Sequence, residues 1–457
     1  MGNIAHTYYP QAGRLVILGA GESGVGAAIL GKLKGFEVFV SDMGQIAEVY
    51  KESLIQEQIA FESGKHTEEL LLNADLVVKS PGIPEQAPLI QKLRALHIPV
   101  VSEIEFAAQY TDAKLICITG SNGKSTTTML TYYMLQRAGK KVGLAGNIGK
   151  SFALQVARED FDCYVLEISS FMLDDMYHFR ANVAVILNIT PDHLDRYDYK
   201  MENYVNSKFR IIQNQQADDV FIYCLDDKET MDALHRFDIK AIRLPLTQEQ
   251  IISPGAYLDS NNYLKINTPN TEEFEMNIEE LSLQGKHNVY NNMASGLIAK
   301  VQELRNQSMK ESMGSYVNIS HRLEHVALIG GVNYVNDSKA TNVNSVWYAL
   351  ESFSSDIVLI LGGVDKGNDY EMLRDLVKQK VKAIICIGKD TSRIHKAFED
   401  DVDYVLNSHS MKDAVHLASH VAEKGDTVLL SPACASFDWF KNYEERGDKF
   451  KEAVMAL

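Results

Sequence analysis

Short apolar runs closed by Gly, Ser or Asp alternate along this chain with stretches of helical periodicity, and three blocks of that pattern follow one another. In the first block, residues 14–19 read as a buried strand, 25–33 as a helix and 36–41 as a second strand that ends at Asp42. A further strand is expected over 75–79, ahead of Ser80-Pro81-Gly82-Ile83-Pro84. In the second block, strands are expected over 114–118, 163–168, 183–188 and 220–224. These runs lack strict alternation, which suggests a parallel sheet covered on both faces. Residues 245–285, with Pro254, Gly255 and Asn261-Asn262, suggest a small antiparallel excursion; 288–304 read as a helix and the polar stretch 305–318 as a linker. The third block opens with 326–329 and 332–336 around Gly330-Gly331, a hairpin signal. Strands at 357–361, 383–387 and 427–430 then alternate with helices at 370–380, 392–398 and 411–422.

Two turns change this picture from architecture to chemistry. The strand 114–118 runs into Thr119-Gly120-Ser121-Asn122-Gly123-Lys124-Ser125-Thr126. In such a turn backbone N–H groups converge on one spot and can cradle phosphate oxygens, with the helix dipole behind them. Lys124 would reach the β- and γ-phosphates and the Ser125 hydroxyl would ligate Mg²⁺. The long spacing of the general phosphate-binding loop is absent, since position 118 is Ile. The first block carries Gly19-Ala20-Gly21-Glu22-Ser23-Gly24 after its first strand and Asp42 after its second. That is a dinucleotide-type βαβ start, and a tight turn without ligand remains the bland alternative. The fold expected is therefore α/β in three domains: an N-terminal Rossmann-like domain over 1–107, a central P-loop ATPase-like parallel sheet over 108–318, and a C-terminal Rossmann-like domain over 319–457.

Composition narrows the partners. The 457 residues are too many for one core. A formal charge of −16 disfavours nucleic acid or an anionic membrane as partner. Five scattered Cys read as reduced thiols, and no apolar run approaches a membrane span, so a cytoplasmic monomer without secretory signal is expected.

Further chemistry collects after the other strands of the second block. Glu167 ends 163–168, where a P-loop enzyme places an acid that helps hold Mg²⁺. Asp192-His193-Leu194-Asp195-Arg196 follows the next strand. His is an uncommon Mg²⁺ ligand, so His193 is equally suited to bonding substrate or capping a helix. Lys208, on an amphipathic helix, is by default a solvated lysine. Asn288 suits either an adenine edge or a helix cap. In the third block Arg322 can meet phosphate with a two-pronged contact, Asp337 can accept from ribose hydroxyls, and Lys339 can touch the γ-phosphate. These three lie far along the chain from Lys124 and complete one ATP site only through domain closure. Cys434 has no general base in view and reads as structural.

The phosphate-binding loop, Glu167, the Asp192–Arg196 run and Lys208 stand in the order seen in the Mur ligases, which the chain resembles over nearly its whole length. The runs Gly362-Gly363-Val364-Asp365-Lys366-Gly367 and Ser431–Gly447 resemble the D-glutamate-adding branch of that family. The resemblance implies an ATP-dependent amide ligase that joins D-glutamate to UDP-N-acetylmuramoyl-L-alanine through an acyl phosphate. It implies a carbamylated Lys208 and two Mg²⁺ ions held by Ser125, Glu167, His193 and Lys208. It puts ATP on Gly120–Thr126, Asn288, Arg322, Asp337 and Lys339. It puts the UDP-sugar on Gly21, Ser23, Gly24, Asp42, Ser80, Gly82, Asn147 and His193, so that the first domain takes UDP and not NAD. D-Glutamate falls to Thr341, Lys366, Ser436, Phe437 and Tyr443. Folylpolyglutamate synthetases share the loop but begin with their ATPase domain. An NAD-dependent oxidoreductase or a non-catalytic nucleotide-binding regulator would leave the second block's residues without purpose.

Overall fold

The computed structural model describes residues 9–269, 271–316, 320–351, 353, 355–365 and 368–457. Lys366 and Gly367 lie outside them. The chain builds three sheets, each from one block of the sequence.

The first sheet is all parallel, in the spatial order Ala60–Ser63, Glu37–Asp42, Arg14–Leu18, Leu76–Lys79, Val100–Val101. Strand order reverses beside Arg14–Leu18, and such a switch point opens a crevice at the strands' carboxyl ends. The Gly19–Gly24 turn and the Ser80–Pro84 loop both leave that edge.

The second sheet has nine strands: Phe274–Asn277, Tyr263–Asn267, Gly255–Leu258, Ile242–Thr247, Val220–Cys224, Val183–Ile186, Lys114–Thr119, Cys163–Glu167, Val142–Gly146. Its first three strands are the expected antiparallel excursion. The remainder is parallel, and Lys114–Thr119 lies between the strands that lead to Asn188 and to Glu167. Burial on both faces explains why these runs do not alternate.

The third sheet runs Glu324–Ile329, Val332–Asn336, Thr427–Leu430, Ile357–Gly362, Val381–Ile387, Tyr404–Asn407, with the hairpin at its edge. Separate apolar clusters cover its two faces.

The chain divides into two compact units, one up to Leu281 together with Tyr290–Ser315, the other Ser282–Val289 with Tyr316–Leu457. The first two sheets thus share a unit. One apolar cluster runs from Leu15, Ile17 and Val40 through Ile104 and Phe106 to Leu115, Leu166 and Ala184.

Two expectations are corrected. The stretch 305–318 is not a linker, because Asn306–Ser315 is a helix. Its Met309, Ser312 and Met313 are buried at helical spacing, and the surrounding polar residues mask that short stripe in the sequence. Asn288 is not a helix cap but lies inside the first turn of Lys286–Val301. Strands Ala60–Ser63, Val142–Gly146 and Tyr404–Asn407 went unread, being short or interrupted by polar residues and glycine.

Candidate functional site

The turn after Lys114–Thr119 is fixed in shape by its own neighbours. Gly123 precedes the helix Lys124–Arg137 at φ 81°, and a Cβ there would lie 2.4 Å from Asn291 Oδ1. Only glycine fits both the left-handed backbone and that contact. The Ser121 N–H donates to Asn188 O at 2.9 Å and the Asn122 N–H to Asn188 Oδ1 at 2.8 Å. Ser121 Oγ donates to Thr190 O at 2.8 Å. Lys124 Nζ folds back over the loop onto Gly120 O and Ser121 O, both at 2.8 Å. Ser125 is half-buried and Thr126 buried on the helix's first turn.

Around this loop the chemistry is unusually dry. Glu167 is 1 % exposed; its Oε1 accepts from Asn147 Nδ2 at 2.7 Å, while its Oε2 is buried with no hydrogen-bond partner. A buried carboxylate oxygen without a donor is costly, and a bound cation would relieve it. Lys208 is 2 % exposed, against the default of a solvated lysine. Its Nζ donates to Gly120 O at 2.9 Å and sits 4.6 Å from the centroid of the Tyr204 ring. Burial first, then the Lys124 ammonium, holds the Lys208 amine well below the usual lysine range, against the pull of Asp192 and Asp174. His193 adopts φ 52° with its ring 3.5 Å from Asp192 and edge-on to Phe171. Among the described residues no group of three His, Cys, Asp or Glu is arranged as a metal cage. Mg²⁺ ordinarily takes one or two carboxylates and completes its shell with phosphate and water, so the bare oxygen of Glu167 and a hydroxyl such as Ser125 suit it.

The first sheet's edge faces this region with a second set of groups. A Cβ on Gly24 would meet Gly19 O at 1.9 Å, so helix Glu22–Leu33 starts tight against the strand. Gly21 faces open space. Asp42 Oδ2 accepts the Ala20 N–H and its Oδ1 the Gly44 N–H, both at 2.7 Å, so this acid braces the turn. Ser23 lies beside Glu103 and favours the charged form of its carboxyl. Ser80 is half-buried and Gly82 exposed. Arg196 donates to Pro81 O at 3.1 Å and lies 4.5 Å from the Phe171 ring, tying that loop to the His193 segment. Arg196 and Phe171 also line a cavity of about 820 Å³ together with Lys79, Arg94, Tyr197 and Arg210; none of the expected site residues lines it.

The second unit gathers its own cluster. Asn288 is buried and donates to Gln284 O at 2.8 Å. Its neighbour His287 is pushed down to about 4 by burial and by Arg322. Asp337 is 1 % exposed and accepts from Ser431 Oγ at 2.9 Å and the Leu323 N–H at 3.2 Å. Burial lifts its carboxyl to about 6 against Arg322. Lys339 Nζ lies 5.4 Å from the Tyr443 ring. Thr341 and Phe437 are exposed and Ser436 is buried. Arg446, fully buried, donates to Ser338 O, Ser338 Oγ and Cys434 O and so joins the 336–341 and 431–438 loops. Burial pushes the Cys434 thiol up to about 11, which fits an inert role.

Asn291, Arg196, Glu103 and Arg446 make contacts here that the sequence does not assign to them. Asn291 stands three residues after Asn288, one helical turn on, and that spacing was the available signal. The others show themselves only through their partners.

Three family models match in chain order: "Mur ligase MurD-like, N-terminal domain" over 13–102, "Mur ligase middle domain" over 118–299 and "Mur ligase, glutamate ligase domain" over 321–434. The chain is 54% identical to the UDP-N-acetylmuramoylalanine--D-glutamate ligase of Bacteroides thetaiotaomicron, over 97% of this chain and 100% of that one. It is 41% identical to the protein of the same name from Salinibacter ruber, over 97% and 98%. Among solved structures, a pseudomurein peptide ligase type C from Methanothermus fervidus superposes with a TM-score of 0.62 at 18% identity, covering 97% of this chain and 99% of that one. MurF from Thermotoga maritima in complex with ADP gives 0.59 at 14%, covering 92% and 95%; at these identities the likeness is one of fold. On the near full-length identity to curated relatives, the chain belongs to the Mur ligase family.

Proposed function

We propose that this protein is the ATP-dependent ligase that joins D-glutamate to UDP-N-acetylmuramoyl-L-alanine, in cytoplasmic assembly of peptidoglycan precursors. The observation that carries the reading is the dry cluster around the Gly120–Thr126 turn. There Lys124 overlies the loop, Glu167 presents a bare buried oxygen, and Lys208 is buried against Gly120 O. The relatives' shared name supports the choice of substrates.

A carboxylate is a poor electrophile, so the alanyl carboxylate must first take the γ-phosphoryl group of ATP. Lys124 and the loop N–H groups neutralise charge on the transferring phosphoryl group, and Arg322 and Lys339 are assigned to the same nucleotide. Asn288 is assigned to its adenine and Asp337 to its ribose. Bound Mg²⁺ would supply further charge neutralisation, and Ser125, Glu167, His193 and a carbamylated Lys208 are the residues that would hold it. Carbamylation needs a neutral amine, and the burial of Lys208 beside Lys124 favours one. The acyl phosphate is then attacked by the amine of D-glutamate, and phosphate leaves from a tetrahedral intermediate. Lys366, Thr341, Ser436, Phe437 and Tyr443 are assigned to D-glutamate. The UDP-sugar is assigned to the first sheet's edge, with Gly21, Ser23, Gly24, Asp42, Ser80 and Gly82 on its nucleotide and Asn147 and His193 toward its sugar.

The test is ADP release from ATP by the purified protein. It is expected to require UDP-N-acetylmuramoyl-L-alanine and D-glutamate together. ADP release at the same rate without D-glutamate, or with L-glutamate in its place, rejects the assignment.

A further inference from the structure

Glu103 occupies a position that the reaction itself does not explain. It is 5 % exposed, in the helix Glu103–Ala108 that connects the first sheet to the second. Its Oε1 accepts from Ser151 Oγ at 2.6 Å and from the Ala153 N–H at 2.8 Å. It therefore caps the helix Phe152–Arg158 of the second sheet's domain, which Ser151 also caps through the Leu154 N–H. Ser23, inside the first sheet's glycine-rich turn, acts on the same carboxyl and favours its charged form. The neighbouring Glu22 accepts the Ser151 N–H at 3.2 Å. The helices behind these contacts approach so closely that a Cβ on Gly26 would stand 2.0 Å from Ser151 Oγ. Ser151 in turn ends the short loop that begins at Asn147, whose amide holds Glu167. A series of contacts thus runs from Glu22 of that turn and from Glu103 through Ser151 to the Asn147 loop and Glu167.

We propose that Glu103 is the positioning residue that fixes the glycine-rich turn of the first sheet relative to the Asn147 loop of the second, and so presets the span of the UDP-sugar site. This rests on the assignment of the UDP-sugar to those two segments. A ligand with a nucleotide at one end and a reacting carboxylate at the other is sensitive to that span, because a small misplacement of the reacting end is costly. Burial pushes the Glu103 carboxyl up to about 7. The cost of a buried acid there is offset by the Ser151 hydroxyl and the Ala153 N–H that converge on it.

The experiment is steady-state kinetics of Glu103→Ala and Glu103→Gln with each of the three substrates varied, alongside direct calorimetric binding of UDP-N-acetylmuramoyl-L-alanine to the wild-type protein. Glu103→Ala is expected to raise the KM for the UDP-sugar about tenfold or more, the loss of roughly one well-made contact. The KM values for ATP and D-glutamate should stay within about twofold. Glu103→Gln keeps the accepting oxygen for Ser151 and Ala153 and should restore most of the loss. Ser151→Ala removes one of the same contacts with less disturbance and should move the same KM alone, which keeps the test decisive if Glu103→Ala does not fold. Equal changes in all three KM values, or no change with the UDP-sugar, overturn the proposal while the functional assignment stands. Failure of the wild-type protein to bind the UDP-sugar overturns both.

Discussion

Two lysines meet at the Gly120–Thr126 turn, and their surroundings differ. Lys124 lies over the loop carbonyls as a cation, so Lys124→Ala is expected to lose about 2–4 kcal/mol of transition-state stabilisation, the scale of one preorganised donor. The measurement is kcat/KM for ATP on folded variant, and turnover near the wild-type rate would remove Lys124 from the ATP site. Lys208 is buried beside Lys124, and that burial shifts its amine toward the neutral form that the proposed carbamylation needs. Intact mass at neutral pH, or a carbamate carbon signal after labelling with bicarbonate, is expected to report the adduct. Lys208→Ala should be inactive, with partial recovery in acetate. An unmodified lysine in active enzyme together with an active Lys208→Ala rejects carbamylation. The burial of Lys208 is not written in the residues nearby: it sits on a helix whose polar face looks solvated until the loop at Gly120 covers it.

At the scale of elements, the expected linker 305–318 is the clearest departure. Its helix Asn306–Ser315 buries Met309 and Met313 completely, while its remaining positions are mostly polar. Met309→Ala is therefore expected to destabilise the protein by about 2–5 kcal/mol, read as an earlier thermal unfolding transition, where a linker would tolerate it silently. Strands were legible where apolar runs were long and both faces buried, as in Cys163–Glu167 and Thr427–Leu430. Short pieces such as Ala60–Ser63 were not, because pairing with Glu37–Asp42, and not local pattern, makes them strands.

For the whole molecule, the joint between the first two sheets carries a pH signature. The Glu103 carboxyl holds its proton more tightly in the folded chain than in the unfolded one, with a value near 7 against an ordinary 4.5. The folded state therefore binds more protons across that window, and stability falls as pH rises through it. Below the window this cost is absent and above it the cost is complete. Glu103→Gln stays neutral throughout, so its stability relative to wild type should grow between about pH 4.5 and 7.5 by up to about 3 kcal/mol. Denaturant titrations of both proteins across that range check this, and a pH-independent difference excludes it. Division of labour between the units gives a second test. Lys366→Ala is expected to weaken D-glutamate roughly ten- to a hundredfold through loss of a charge-assisted contact, with the ATP KM nearly unchanged. A change confined to ATP would misplace the amino-acid pocket.

The sequence alone determined the three α/β blocks, the phosphate-binding turn, Glu167 and the family, because local spacing and strand-to-turn order carry that information. Asp42 shows its limit: the residue was legible as the acid after the second strand, but its grip on the Ala20 and Gly44 amides was not. The tertiary structure decided which polar groups are buried and what they meet. The setting of Glu167, the burial of Lys208, the arginine tie at Arg446 and the Glu103 joint all depend on residues 20 to 108 positions apart. Charge state follows desolvation, and desolvation follows the packing of distant segments, which no local pattern records.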